Sequence, residues 1–246
     1  MIADVRLAVG LVVLAAITVA VLTYGHIPLR GAVLRASGRA VVQLAVVAAA
    51  LRGAFAYPPA AAGVVAVMFT VAVGTASRRM TGHPRALRAV TLSCAAGSLV
   101  VVGLVVGAPI LQRDVRNLVA VAGIVIGGCM TAATLTGRRL ADGLHRRRDE
   151  IEAWLSLGAT PRQAVRDVAR SAVVEALVPA LDQTRTVGLV TLPGAFVGAL
   201  LGGANATEAA RFQVTVLVGL LCAQALTSVV LATLLGAPAQ LPEPAN

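Results

Sequence analysis

Seven long apolar runs constrain this chain more than any other feature of its sequence. Each has at least 18 residues and at most one charged side chain, enough for a helix rising about 1.5 Å per residue to approach the roughly 30 Å hydrocarbon thickness. The runs cover residues 7–24, 40–57, 60–77, 89–111, 118–137, 186–207 and 212–236. Because only 13% of residues are charged, a soluble fold would lack a polar shell. We expect one all-α integral membrane domain, residues 1–246, of about seven transmembrane helices.

The positions of the charged residues predict how these helices are oriented. All 21 basic residues are Arg, and sixteen of them fall in the alternate loops of one side. The positive-inside rule places that side in the cytoplasm, with the N-terminus outside. A cleaved signal peptide is the alternative interpretation of residues 1–24, with Thr18-Val19-Ala20 as the candidate cleavage site. We expect a multi-pass protein embedded in the lipid bilayer of the inner (plasma) membrane.

The composition also argues against several classes of function. The basic residues lie between apolar runs and aromatic residues are only 3%, so nucleic acid is not an expected partner. Three Cys residues stand singly, and no zinc motif or nucleophile–base pair appears, so the chain is not predicted to be an enzyme or to bind a cofactor. A P-loop requires Lys, and this sequence has none. If transport is driven by ATP, a separate subunit must bind ATP and Mg²⁺.

The main polar segment, residues 138–185, predicts two helices joined at Gly158. The first helix carries an apolar stripe at Leu140, Leu144, Ile151 and Leu155. Thr160-Pro161 is suited to begin the second helix, with Gln163 completing a capping box, and Pro179 is expected to end or kink it. Two interpretations stay open: a rigid element that docks on a partner protein, and an amphipathic hairpin on anionic lipid.

Two stretches of this sequence resemble the FetB-like ABC permeases. They are LSLGATPRQA at residues 155–164 and LDQTRTVGLVTLPG at residues 181–194. Shorter similarities at residues 38–44, 122–124 and 209–213 extend the resemblance over nearly the whole chain. It implies a homodimeric permease that pairs with two copies of an ABC ATP-binding subunit. Bacterial members of that group are associated with iron export, and plant members with aluminium tolerance.

The resemblance further implies a coupling helix that docks on the ATPase subunit. Glu152-Ala153 followed by Gly158 is similar to the Glu-Ala-Ala…Gly loop of many ABC permeases. The candidate coupling residues are Glu152, Ala153, Leu155, Ser156, Leu157, Gly158, Ala159, Thr160 and Pro161.

Residues 182–194 form the predicted hinge and gate, because Pro193-Gly194 would break a helix where backbone carbonyls could line a cavity. The candidate translocation and gate residues are Arg39, Gln43, Asp182, Thr186, Gly188, Pro193, Gly194 and Gln213. The candidate metal ligands are Cys129, Met130 and Asp182, and packing between helices is the alternative role of the first two.

Two other functions are left open by the sequence. A secondary transporter driven by protons or sodium usually holds an acid at mid-membrane depth, and none of the seven runs contains Asp or Glu. Glu175 and Asp182, near the sixth run, are the acids that such a mechanism could use. A membrane scaffold with no transport of its own is the second alternative. The sequence favours the exporter permease, and only the resemblance indicates iron or another metal ion as its substrate.

Overall fold

The structure, a computed structural model, describes residues 2–56, 58–80, 85–108, 110–111 and 114–236. The chain divides into two compact units, residues 1–60 and 61–246. Within the described residues the regular elements are helices, apart from one isolated bridge between Val187 and Thr191. The all-α fold expected from the apolar runs is confirmed.

The first unit is a pair of helices, α1 (Ile2–Tyr24) and α2 (Arg30–Ala56), which pack on each other. The turn between them contains His26, a non-glycine residue with a φ of 54°. Apolar side chains are exposed along both helices, Leu14 and Val42 among them. Exposed apolar surface of this kind is unfavourable in water but not in lipid.

The second unit holds α3 from residue 61 onward and all the later helices. They are α3 (Pro58–Arg78), α4 (Ala86–Gly107), α5 (Val115–Arg146), α6 (Arg148–Ser156), α7 (Pro161–Thr186), α8 (Gly194–Leu201) and α9 (Ala206–Leu235). Helices α4, α5, α7 and α9 pack most extensively on one another and supply most of the buried core.

Helices α4, α5 and α9 meet at Gly97. A Cβ at this position would collide with the Thr227 hydroxyl and the Ala223 carbonyl, and it would lie 3.1 Å from the Cys129 sulfur. The Thr227 hydroxyl donates to the carbonyl of Ser93 at 3.3 Å, and the Cys129 thiol donates to that of Ala223 at 3.9 Å. Small residues allow membrane helices to come close, and polar side chains then bond across them. The three helices can therefore pack closely because Gly97 has no side chain.

Helix α7 packs on α5 and α9 and runs antiparallel to α5. Val168, near its start, occupies the space that a Cβ on Gly143 would need. Farther along, Glu175 forms an ion pair with Arg139 at 3.1 Å. The 26 residues of α7 make a rod about 39 Å long. The chain thus returns across this unit along α7, the residues that follow it, and α8.

Among the described residues, six helices are long and apolar enough to cross a membrane: α1, α2, α3, α4, α5 and α9. The sixth predicted span, residues 186–207, is not one continuous helix. After Thr186 the chain is irregular over residues 187–193, and α8 has eight residues, about 12 Å, too short for the hydrocarbon core. The break arises because Gly188 has a φ of 80° and Pro193 lacks the N–H that a continuing helix needs. Six crossing helices plus the α7–α8 return agree with the expected total of about seven.

The polar segment at residues 138–185 follows its prediction with two differences. Three members of the predicted apolar stripe are buried, on α5 and α6: Leu140, Leu144 and Ile151. The chain turns at Arg147, so the stripe is divided between two helices, and its fourth member, Leu155, is exposed near the end of α6. Pro179 does not end α7, which continues to Thr186.

Candidate functional site

The turn between α6 and α7, residues 154–161, is the first candidate site, here named the α6–α7 tip. The Ala159 N–H donates to the Trp154 carbonyl and the Gly158 N–H to the Leu155 carbonyl, each at 3.0 Å. This pair of bonds is a Schellman motif, which needs a left-handed residue, and Gly158 has a φ of 89°. The predicted helix–Gly–helix element is confirmed, and its backbone is fixed by hydrogen bonds.

Helix α7 begins with a reciprocal cap. The Thr160 hydroxyl accepts from the Gln163 N–H at 3.4 Å, and Gln163 Oε1 accepts from the Thr160 N–H at 2.8 Å. Pro161 takes the first helical position, where its missing N–H is not needed. The predicted capping box is therefore confirmed.

The other predicted coupling residues of α6 support the helix itself. Glu152 accepts from Arg148 Nε at 2.8 Å, and its carbonyl accepts from the Ser156 hydroxyl at 2.9 Å. The Ala153 carbonyl accepts from the Leu157 N–H at 3.1 Å. Glu152, Ala153 and Ser156 therefore hold the shape of α6.

The α6–α7 tip is apolar although the segment around it is charged. Leu157 is 82% exposed and Trp154 is 51% exposed, whereas Ile151 at the base of the tip is buried. The fold anchors the tip through Ile151 and leaves three large apolar side chains, Trp154, Leu155 and Leu157, exposed. Exposed apolar groups on a rigid polar element are typical of a protein-docking surface.

Ion pairs flank the base of the tip. Arg147 donates two hydrogen bonds to the Glu150 carboxylate, each at 2.7 Å. These bonds hold the pKa of Glu150 below its usual value and raise the pKa of Arg147. Because both groups are exposed, they contribute little to stability, but they fix the positions of two charges at the base of the tip.

The second candidate site is the irregular segment, residues 187–193. The Gly188 N–H donates to the Thr191 carbonyl at 2.9 Å, which closes a tight turn. Leu189, at the top of that turn, is 90% exposed. Pro193 has an extended backbone and leads directly into α8 at Gly194. The break predicted at Pro193-Gly194 is present, and it begins earlier, at Gly188.

Asp182 and Thr186 lie on the last turn of α7. The Thr186 hydroxyl donates to the Asp182 carbonyl at 2.9 Å. The Asp182 carboxylate lies 3.6 Å from Arg185, and both side chains are exposed. Asp182 thus has a local ionic partner on its own helix.

A cavity of ≈ 230 Å³ lies between α5, α7 and α9. Its polar side chains are Thr131, Gln183 and Gln224, and Gly128 allows α9 to come close. Its described lining residues include no carboxylate, so its chemistry suits a polar ligand that takes hydrogen bonds from amides and hydroxyls.

A second cavity, of ≈ 500 Å³, lies beside the first turn of α5 and helix α8. Arg116 and Asn117 line one wall, and Gly194 and Gly198 line the other. Ile124 borders both cavities. The two cavities therefore lie one after the other along α5, and the α8 glycines line the larger one.

The remaining predicted path residues fall in separate places. Gln213 is 6% exposed, and its Oε1 has no hydrogen-bond partner among the described residues. Cys129 is buried in the α4–α5–α9 contact, and Met130 packs beside the core. The described residues contain no group of three or more His, Cys, Asp and Glu that could hold a metal ion. Cys129 is packed in the core, and its role as a metal ligand stays a prediction.

Arg39 and Gln43 lie on α2, in the first unit, and both are exposed.

Two features of the site were not predicted from the sequence. The Arg139–Glu175 pair joins α5 to α7, but the charge pattern of either helix alone does not specify its partner. Gln183 and Gln224 meet at one cavity, and their only sequence signal is an amide within or beside an apolar run.

Comparison with known proteins agrees with the membrane architecture. The family described as "Uncharacterised protein family (UPF0014)" matches residues 2–238. The rice "UPF0014 membrane protein STAR2" is 36% identical over 203 residues, 82% of this chain and 71% of that protein. The Arabidopsis "Protein ALUMINUM SENSITIVE 3" is 33% identical, over 80% of this chain and 73% of its own.

A bacterial relative has a more specific name. The "Probable iron export permease protein FetB" of Escherichia coli is 28% identical over 195 residues, 78% of this chain and 75% of that protein. No solved structure gives a significant match.

Proposed function

Since this chain belongs to the UPF0014 family of membrane proteins, we propose that it is the permease subunit of an ABC-type exporter. In this proposal a separate ATP-binding subunit binds and hydrolyses ATP with Mg²⁺, and two copies of the chain form the transport path in the inner (plasma) membrane. Iron or another metal ion is the proposed cargo, in keeping with the printed name of the Escherichia coli relative.

The α6–α7 tip is the observation that carries this proposal. Its most exposed apolar side chains, Trp154 and Leu157, lie on a backbone that hydrogen bonds hold in one shape. A rigid apolar surface loses little conformational entropy when a partner covers it. An amphipathic hairpin on lipid would instead lay the length of α6 and α7 on the membrane, whereas here both helices are anchored in the bundle through Ile151 and Val168.

The mechanism follows from what the tip is attached to. When the ATP-binding subunits close, they displace the tip, and α7 carries this displacement along its length as a rod. At its far end α7 lines the smaller cavity through Gln183, and residues 187–193 connect it to α8 at the larger cavity. In this proposal the two cavities are parts of the path, and the irregular segment is the gate.

Co-purification with an ATP-binding subunit tests the proposal. The tagged protein is purified gently from its native membrane, and the eluate is assayed for ATP hydrolysis. The wild type and Leu157→Met should carry ATPase activity, whereas Leu157→Asp should lose at least about tenfold, since a charge would enter an apolar contact. Leu157 is largely exposed, so both variants should keep the same thermal stability.

A single purified species with no ATPase activity in the wild type would overturn the proposal. Flux driven by a proton or sodium gradient would then identify the protein as a secondary transporter.

A further inference from the structure

A groove with three arginines on one wall lies between the first half of α7 and the end of α9. Its volume is ≈ 540 Å³. Arg162, Arg166 and Arg170 line it, spaced four residues apart on α7, together with Val173 and Val229 deeper along the two helices. Residues four apart share one face of a helix, so the groove has a cationic end and an apolar end.

These arginines differ from the others of the same polar segment. Arg139, Arg147, Arg148 and Arg185 are each paired with a carboxylate. None of the three groove arginines has a carboxylate within 4.0 Å in the part of the chain that the structure describes.

The acid closest in sequence points elsewhere. Asp167 stands between Arg166 and Arg170 in sequence, but it is not among the described residues that line the groove. It acts electrostatically on Arg147 of the α6 base instead. Like charges four residues apart on a helix repel each other. The groove therefore carries an excess of positive charge, and a bound anion would reduce the repulsion among its three arginines.

The position of the groove selects the kind of anion. Helix α9 is apolar through its last turn, and the groove reaches Gly236 at its end. On the predicted topology this is the cytoplasmic boundary of the membrane, where anionic headgroups are found. Val173, Val174 and Val229 continue from the arginines towards the membrane interior, as an acyl chain would.

We propose that this groove binds one anionic phospholipid, with its phosphate on Arg162, Arg166 and Arg170 and an acyl chain along the valines. Arg recognises phosphate through a planar set of N–H donors. The inference stands apart from the transport proposal, because it uses neither the α6–α7 tip nor the gate.

Native mass spectrometry of the full chain tests the site, with phosphatidylglycerol and phosphatidylcholine as probes. The wild type should retain about one phosphatidylglycerol per protomer in preference to phosphatidylcholine. The triple variant R162Q/R166Q/R170Q should bind phosphatidylglycerol at least about tenfold more weakly, as a surface Arg contributes a severalfold factor to anionic lipid binding.

A matched variant separates a site from general attraction to anionic lipid. R78Q/R79Q/R88Q removes three exposed arginines on the same predicted side and should keep the wild-type preference. Equal losses in both triple variants would overturn the proposal, because the binding would then depend only on total charge.

Three other outcomes would also overturn it. Competition by inorganic phosphate at equal concentration would identify an anion site without a lipid. Lipid binding that appears only after residues 237–246 are removed would make the chain's own end the occupant. Loss of co-purifying ATPase from R162Q/R166Q/R170Q, with unchanged lipid retention, would assign the groove to the partner subunit.

Discussion

The chain uses glycine at Gly97 and at Gly158 in two regions whose packing is opposite. At Gly97 three helices converge, and an added Cβ would collide with the side chain of Thr227 and the backbone of Ala223. At Gly158 nothing described lies within 4 Å of such a Cβ, but the φ of 89° disfavours any L side chain. The first glycine serves packing and the second serves backbone shape. Substitutions at the two positions should therefore damage different properties.

The largest effect on stability is expected from Gly97→Ala. The added methyl meets a carbonyl that cannot move without shifting α9, so the expected loss is about 1–3 kcal/mol of unfolding free energy. Gly103→Ala on the same helix is the control, because no described atom lies within 4 Å of its Cβ position. That change should be neutral or stabilise by up to about 1 kcal/mol through helix propensity. Thermal unfolding in detergent measures both, and equal midpoints would contradict the packing role of Gly97.

Gly158→Ala should have the next largest effect on stability. A left-handed L residue costs about 1–2 kcal/mol, and Asn enters that region more readily than Ala. The order of thermal midpoints should be wild type, then Gly158→Asn, then Gly158→Ala. A Gly158→Ala midpoint equal to that of the wild type would mean that the φ at this position is not constrained.

A bulkier residue at position 158, such as Val, should also displace the tip and abolish co-purifying ATPase while the protein stays in the membrane.

The two capping boxes allow a smaller, paired test of backbone shape. Thr160 begins α7 beside the α6–α7 tip, and Asn205 begins α9 with the same reciprocal bonds to Glu208. Thr160→Ala and Asn205→Ala should each lose about 1 kcal/mol. If the tip is the docking site, only Thr160→Ala should also weaken ATPase co-purification. Thr160→Ser, which keeps the accepting hydroxyl, should restore both properties.

The smallest effect expected is the pH dependence of the α6 base. Because Arg147 lowers the pKa of Glu150 in the folded protein, this pair stabilises the fold above the unfolded-state pKa. The contribution is lost as the pH falls through the lower, folded-state value. Glu150→Gln should remove this contribution, so its thermal midpoint should lie slightly below that of the wild type at neutral pH and converge with it in acid; the difference should be small because the pair is exposed. Parallel acid titrations of the two midpoints would contradict the pairing.

Local chemistry explains which features could be predicted from the sequence. The capping box at Thr160 and the turn at Gly158 depend on residues within a few positions of each other, so their pattern is visible in the chain. The apolar runs are likewise visible in the chain, because each apolar residue in a run favours lipid whatever its distant neighbours are. Six of them lie on helices that, in the part of the chain the structure describes, are long and apolar enough to cross a membrane.

Features that depend on distant residues could not be predicted in the same way. Gly97 stands in a helix with several glycines, and only the arrival of Thr227 and Ala223 on α9 distinguishes it from Gly103. The run at residues 186–207 has the composition of a span, yet Gly188 and Pro193 interrupt it, and hydropathy averages over that interruption. The cavity between α5, α7 and α9 combines side chains from three helices whose order in space the sequence does not state.

Helix α7 is a stiff element, and the irregular residues 187–193 that follow it are more easily deformed. Along α7 the backbone hydrogen bonds run nearly parallel to the helix axis, except where Pro179 lacks an N–H, so in the proposed mechanism an axial displacement at one end reaches the other. Beyond Thr186 the N–H groups of residues 188–191 donate to the Thr186 and Thr191 carbonyls in a local turn, so these residues lack the repeating hydrogen bonds of a helix. In the proposed mechanism α7 would act as a rigid rod, and residues 187–193 would be the hinge at its end. A displacement of the α6–α7 tip would then change the conformation of residues 187–193 while α5 and α9 stay in place.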